Sequence, residues 1–201
     1  GEVAELMALA RPDIGLVTNA GAEHLEGFGS LDGVARAEGE AIAGLAAEGV
    51  AIINADDRYA PLWRSMSRAR ILSFGFDPAA QVRASDVHFD AGAQGFVTRF
   101  TLHGEGGATP VALALAGRHN VLNALAAAAA AQAAGATLAQ VAAGLATMRA
   151  VEGRLQFKPA ARGAWLIDDS YNANPSSARA ALEVLAELTG RRWLVLGDMA
   201  E

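Results

Sequence analysis

The sequence predicts an α/β fold: a mostly parallel sheet flanked by helices, an antiparallel β extension of that sheet, and then the beginning of a second α/β unit. Three observations predict it. Over residues 1–76 short apolar runs alternate with amphipathic stretches, the pattern of parallel strands joined by crossover helices. From Gln81 to Leu115 three β-rich segments separated by glycine-rich turns replace that alternation. After the stretch "RAVEGR" the βα alternation restarts, which puts a boundary there, with units at 1–151 and 152–201.

Taken in order, "EVAELMALA" reads as a helix and "IGLVTNA" as a strand. "SLDGVARAEGEAIAGLAAE" is a helix with Ser30 as its N-cap and Asp32 in its first turn, where a carboxylate favours the helix dipole. Strand "GVAIINADD", helix "RYAPLWRSMSR" and strand "RILSFGF" follow. The extension consists of "QVRASDVHFDA", "GFVTRFTLHG" and "TPVALALA". Two helices come next, from about Asn120 to Ala134 and from Thr137 to Met148, with Gly135 ending the first. The second unit offers strand "AWLIDDS", a helix from Pro175 to about Leu188, and strand "RWLVLGD".

Composition removes several classes of function. The 201 residues are 52% hydrophobic, yet no apolar run reaches the roughly 18 residues of a membrane span. The tract "NALAAAAAAQAAGA" is alanine-dominated and reads as a closely packed helix, so no membrane insertion is expected. A net charge of −6 without a basic patch argues against nucleic acid as a partner. With no cysteine there is no disulfide, thiolate metal site or cysteine nucleophile, which suits a reducing cytoplasm. The chain begins at Gly1 without an initiator methionine and is expected to be part of a longer protein. Fifteen of its sixteen basic residues are arginine; Lys158 is the one lysine.

Four stretches carry candidate chemistry. "TNAGAEHLEGFGS" places His24 in a glycine-rich segment after an apolar strand, where open α/β sheets bind ligands, although a loop histidine is more often simply solvated. "DVHFD" puts Asp86, His88 and Asp90 on one strand face, a spacing open to a metal but better explained as a polar face turned to water. "LAGRHNVLNALAAA" opens a helix whose unpaired N–H groups attract anions. Asn120 and Asn123, one turn apart, can present amides to a heterocycle or ribose; the competing reading of Asn120 is helix capping. In "WLIDDSYNANPSSARAAL" a strand ends in Asp168 and Asp169, and Asn174 with Pro175 suits N-cap and N1 of the next helix. Capping leaves Asp168, Asp169, Tyr171 and Asn172 unexplained. No G-x-x-x-x-G-K-[ST], G-x-G-x-x-G or G-x-S-x-G occurs, so phosphate-loop, dinucleotide and serine-hydrolase readings lack their motifs.

In order, "ARPDIGLVTNAGAEHLEGFGSLDGVARAEGE", "INADD", "GRHNVLNALAAAA", "VEGRL", "DDSYNANP" and "VLGDMAE" closely resemble the Mur ligases over essentially the whole chain. "SYNANP" and the "FGS" after the histidine point to the branch that joins D-alanyl-D-alanine to UDP-N-acetylmuramoyl-tripeptide. The resemblance implies a three-domain cytoplasmic enzyme of peptidoglycan synthesis, using ATP and Mg2+ and acting on those two small-molecule substrates. Residues 1–151 would be most of its central ATP-binding domain, and 152–201 the start of its Rossmann-like C-terminal domain. The N-terminal domain and the phosphate loop with its lysine would lie outside these residues, leaving them inert alone. In the family ATP phosphorylates the tripeptide carboxylate, and the dipeptide amine attacks the resulting acyl phosphate.

Carried over by motif, His24 would bind magnesium, and His119, Asn120 and Asn123 would meet the adenine or ribose. Arg154 and Asp169 would reach the nucleotide from the second unit; Tyr171, Asn172 and Asn174 would line the closed cleft near the phosphates or the incoming dipeptide. One departure concerns Glu38. Family members usually carry there a lysine carbamylated to a carboxylate, so Glu38 is expected to serve magnesium with a permanent one, directly or through a bound water; the competing reading is a helix-surface glutamate with no role. A ligase extending folate with glutamate, or adding another amino acid, would share the nucleotide residues but lack "SYNANP". A non-catalytic relative would be expected to lose the magnesium residues.

Overall fold

A computed structural model of the chain describes residues 1–21, 29–92 and 95–199. Its main sheet has six strands: β1 (Ile14–Val17), β2 (Val50–Asn54), β3 (Arg70–Gly75), β4 (Val82–Gly92), β5 (Gly95–Gly104) and β6 (Gly107–Leu113). They lie in sequence order, β1 to β4 parallel and β4 to β6 antiparallel. The antiparallel segments thus continue the parallel sheet, as the sequence led us to expect.

Every residue of β2 is buried, which is why its sequence is a continuous apolar run: a central parallel strand is covered on both faces. Side chains alternate between those faces. Ala51 and Ile53 meet Ala35 and Ile42 of α2 (Leu31–Ala43) and Trp63 of α3 (Ala60–Met66). Val50 and Ile52 face the other way, toward Leu125 of α4 (Arg118–Ala133) and Leu145 of α5 (Leu138–Ala146). The alanines of α4 let its backbone approach the sheet closely, and it lies across β1 to β5. Trp63 is fully buried, and its indole N–H donates to the Ala35 carbonyl at 2.8 Å, which joins α3 to α2.

The helix ends follow local chemistry. Ser30 caps α2 by accepting from the Gly33 N–H. That helix stops at Ala43 instead of running through Glu48, with Gly44 as its C-cap at a point where a Cβ would come within 3.0 Å of Met7 in α1 (Glu2–Ala10). Gly135, at φ +94°, ends α4 with paired turns from Gly135 to Gln132 and from Ala136 to Ala131. Thr137 and Gln140 then form a capping box for α5.

Beyond residue 150 a separate hairpin forms from β7 (Gln156–Pro159) and β8 (Trp165–Asp168), followed by α6 (Pro175–Glu187). Strand β7 was not expected; it is short and carries Lys158 and Pro159. Phe157 joins it to the main body through a ring contact with Phe96 of β5 at 4.4 Å, and Phe96, Ala116, Leu155 and Val184 share one small core. The expected strand "RWLVLGD" is not formed: residues 191–199 adopt no regular structure, and Val195 is 94% exposed. A strand exists only with a paired neighbour, and among the described residues no strand pairs with 191–199.

The "DVHFD" face is solvated, as its simpler reading holds. A bulge between Ser85 and His88 puts Asp86 at φ 52°; Asp86 accepts from Ser85 and Thr101 hydroxyls, and Asp90 pairs with Arg99. Among the described residues no three His, Asp or Glu side chains come together as a metal site, and no helix is long and apolar enough to cross a membrane.

Candidate functional site

At the carboxyl ends of β1, β2 and β3, "INADD" ties three loops together. Asn54 donates to the Thr18 carbonyl at 2.8 Å and accepts from the Asp56 N–H. Asp57 accepts from the N–H groups of Ala20 and Tyr59, and Asp56 from those of Phe76 and Asp77 at 2.7 and 2.9 Å. A Cβ on Gly75 would fall 2.8 Å from the Asp56 carboxylate, so only glycine lets that carboxylate in. The motif was visible in the sequence; its bracing role was not, because every partner but Asp56 and Tyr59 is distant along the chain. Beside it lies a cleft of about 340 Å³ lined by Asp57, Arg58, Pro61, Arg64 and Asp77.

The start of α4 reaches the same end of the sheet, where the Arg118 guanidinium lies 3.5 Å from the centre of the Phe76 ring. Helix α4 begins earlier than expected, at Arg118, with Gly117 as N-cap and no side-chain cap. Asn120 therefore sits inside the first turn and does not cap: its amide donates backwards to the Ala116 carbonyl at 2.7 Å and lies 3.1 Å from His119 Nε2. Its Oδ1 makes no hydrogen bond among the described residues, and Asn123 is exposed one turn further on. Both amides have the chemistry to read a heterocycle or a ribose hydroxyl.

His119 faces the second unit. Burial pulls its pKa below the ordinary imidazole value, while the carboxylates of Asp169 and Glu183 act in the opposite direction. The turn that positions it needs glycine. At φ +89° a Cβ on Gly117 would come within 2.6 Å of the imidazole and 2.9 Å of Val184 in α6.

Asp169 accepts from the Leu155 backbone N–H at 3.0 Å, and the Tyr171 N–H donates to the Gly153 carbonyl at 3.0 Å. The Arg154 guanidinium stacks over the Tyr171 ring, 4.2 Å from its centre. The fold thus brings Arg154, Asp169 and Tyr171 to one place from "VEGRL" and "DDSYNANP", with His119 of "GRHN" within electrostatic reach of the Asp169 carboxylate. Asp168 turns the other way. Its Oδ2 takes the Lys158 ammonium at 2.6 Å and its Oδ1 the N–H and O–H of Ser170, and these bonds hold its carboxyl down at about 2.

Asn172 Oδ1 accepts from the Ala173 N–H. Asn174 caps α6: its Oδ1 accepts from the Ser177 N–H at 2.8 Å, while the Ser177 hydroxyl accepts from the Asn174 N–H at 3.0 Å. Its side chain thereby fixes where the loop ends. Glu38 is exposed on α2 and makes no hydrogen bond or ion pair among the described residues. His24 lies outside the described residues.

Comparison with known proteins gives this geometry a setting. The Mur ligase middle domain matches residues 1–131, and the Mur ligase, glutamate ligase domain matches residues 153–201. The UDP-N-acetylmuramoyl-tripeptide--D-alanyl-D-alanine ligase of Escherichia coli (strain K12) is 48% identical over all of this chain and 44% of its own length. The ligase of the same name from Mycobacterium bovis is 39% identical over all of this chain and 40% of its own. Among solved structures, MurF from Acinetobacter baumannii superposes with a TM-score of 0.90 at 35% identity, covering 98% of this chain and 42% of that one. The chain therefore spans less than half the length of these relatives.

Proposed function

The chain belongs to the Mur ligase family, and from that premise we propose that the full-length protein carrying it joins D-alanyl-D-alanine to UDP-N-acetylmuramoyl-tripeptide, using ATP, in cytoplasmic peptidoglycan precursor synthesis. Relatives of that name at 48% and 39% identity support this choice within the family. We divide the chain into a central-domain part, 1–151, and a C-terminal-domain part, 152–201; the two family matches fall on either side of that division.

The observation that carries the reading is the packing across the division: Ala116, just before the "GRHN" turn, shares a small core with Leu155 and Val184, and a Cβ on Gly117 would touch both His119 and Val184. When bound, ATP supplies the phosphoryl group that activates the tripeptide carboxylate. Asn120 Oδ1 and the Asn123 amide would hold the base or ribose, beside the N–H groups that open α4. Asp169, already oriented by the Leu155 N–H, would accept from a ribose hydroxyl, and Arg154, backed by Tyr171, would offer a fixed cation to the phosphates. Tyr171, Asn172 and Asn174 belong to a loop pinned at both ends and would line the closed cleft, excluding water from the reacting carboxylate. For magnesium, Glu38 offers one hard oxygen donor on α2, and we assign it, with His24, to the ion.

The test is product formation by the full-length protein. ADP release should require both the tripeptide nucleotide and D-alanyl-D-alanine, with the acceptor gaining one dipeptide in the mass spectrum. ADP release supported equally well by glutamate or a single D-alanine would overturn the assignment.

A further inference from the structure

We propose that Lys158 is a positioning residue for nucleotide binding: through Asp168 it sets the register of the β8–α6 loop, and thereby the direction of Asp169. The proposal rests on the nucleotide role given above to Asp169. Adjacent residues of an extended chain point to opposite sides, so whatever holds Asp168 to one side turns Asp169 to the other. Asp168 is held by both oxygens. Lys158 Nζ, reaching across from β7, takes Oδ2 at 2.6 Å; Ser170, at the start of the loop, takes Oδ1 through its N–H at 3.2 Å and its O–H at 2.7 Å. In the strand ladder Lys158 stands opposite Leu166 and Gln156 opposite Asp168, so the ion pair is a diagonal brace across the hairpin.

Opposite this brace, Asp169 meets the Leu155 N–H, and one step on the Tyr171 N–H meets the Gly153 carbonyl. The Asn174 cap fixes the far end. Between brace and cap lie Asp169 and Tyr171, which the proposed mechanism places at the nucleotide, and Asn172, which it places in the cleft. The pair is half-exposed, its side chains 38% and 19% accessible, so solvent screens its charge and its effect comes from fixing direction through short hydrogen bonds. No other lysine occurs in the chain.

The experiment compares variants of the full-length ligase. Lys158→Met keeps the apolar stem and removes the charge. It should raise the KM for ATP about 5-fold while kcat stays within about 2-fold, the pattern of lost ground-state positioning. Lys158→Arg should restore the KM. Asp169→Asn, run alongside, separates the two ideas. If Asp169→Asn raises the KM for ATP and Lys158→Met leaves it unchanged, the brace is refuted and the nucleotide role stands. If neither moves it, the nucleotide role of Asp169 falls, and the proposal with it. Should Lys158→Met fail to fold, Ser170→Ala, which frees the other oxygen of Asp168, decides by the same split between KM and kcat.

Discussion

Asp169 Oδ1 accepts a hydrogen bond from the backbone N–H of Leu155 at 3.0 Å, so the residue after Arg154 and the residue two before Tyr171 are locked together. This bond and the neighbouring Tyr171–Gly153 bond close a small ring of backbone that presents Arg154 stacked on Tyr171. A carboxylate in such a place does two things at once, holding its own loop and opposing the effect of burial on the His119 pKa.

Asp169→Asn keeps an acceptor oxygen for the Leu155 N–H and removes the charge. We expect thermal stability to change little and the KM for ATP to rise by a factor corresponding to about 1–2 kcal/mol in the full-length ligase. Steady-state kinetics with varied ATP, beside a melting curve, measures both. An unchanged KM would remove Asp169 from the nucleotide site.

His119 predicts a pH dependence. Burial lowers its folded pKa below the unfolded value of 6.5, so the unfolded chain binds the proton more readily. Its contribution to stability is therefore complete above pH 6.5 and is lost as pH falls from there through the lowered folded pKa. Urea unfolding of wild type and His119→Asn between pH 7.5 and 5 should show the wild type losing stability more steeply toward acid; parallel curves would contradict the assignment.

Gly117→Ala forces a Cβ to within 2.6 Å of the His119 ring and 2.9 Å of Val184 at a backbone φ of +89°. Strain of this kind costs about 1–3 kcal/mol. We expect a lowered denaturation midpoint, and a weaker contact between α4 and α6 seen as faster hydrogen exchange in α6. Wild-type stability in the alanine variant would show that the turn relaxes freely.

Glu38 tests the magnesium assignment. Its carboxylate is exposed on α2 and engaged by no described neighbour, leaving it open to an ion or an ion-bound water. In the full-length ligase Glu38→Ala should lose at least about 10-fold in kcat, with partial recovery at high magnesium, whereas bicarbonate depletion should leave the wild type unaffected. Glu38→Lys should regain activity only with bicarbonate. Wild-type kcat and magnesium dependence in Glu38→Ala would refute the role.

What the sequence made legible is what acts over short distances. Ser30, Gly135 and the Asn174–Pro175 pair mark helix ends because capping is a contact between near neighbours, and β2 announces itself because burial on both faces demands an apolar run. Strand β7 stayed hidden since a Lys and a Pro among four residues mask the pattern; its partner β8 and the ring of Phe96 hold it in place. The site divides likewise. "GRHN" and "DDSYNANP" could be singled out by residue type, but nothing local says that the Gly117 turn packs against Val184, or that Asp168 is spent on Lys158. The capping reading of Asn120 fails because the helix starts two residues earlier, on a glycine whose backbone conformation the sequence does not declare.

The sequential order of the six strands has a kinetic consequence. Every strand from β2 to β5 finds both partners in the segments immediately before and after it, so no pairing waits for a distant part of the chain. Loop-closure entropy is then spent in small increments, and contact order in the sheet stays low for an α/β protein. The sheet can zip up in the direction of synthesis as the ribosome releases it. The long closure is the docking of α4 across β1, which waits until residues beyond 118 have emerged.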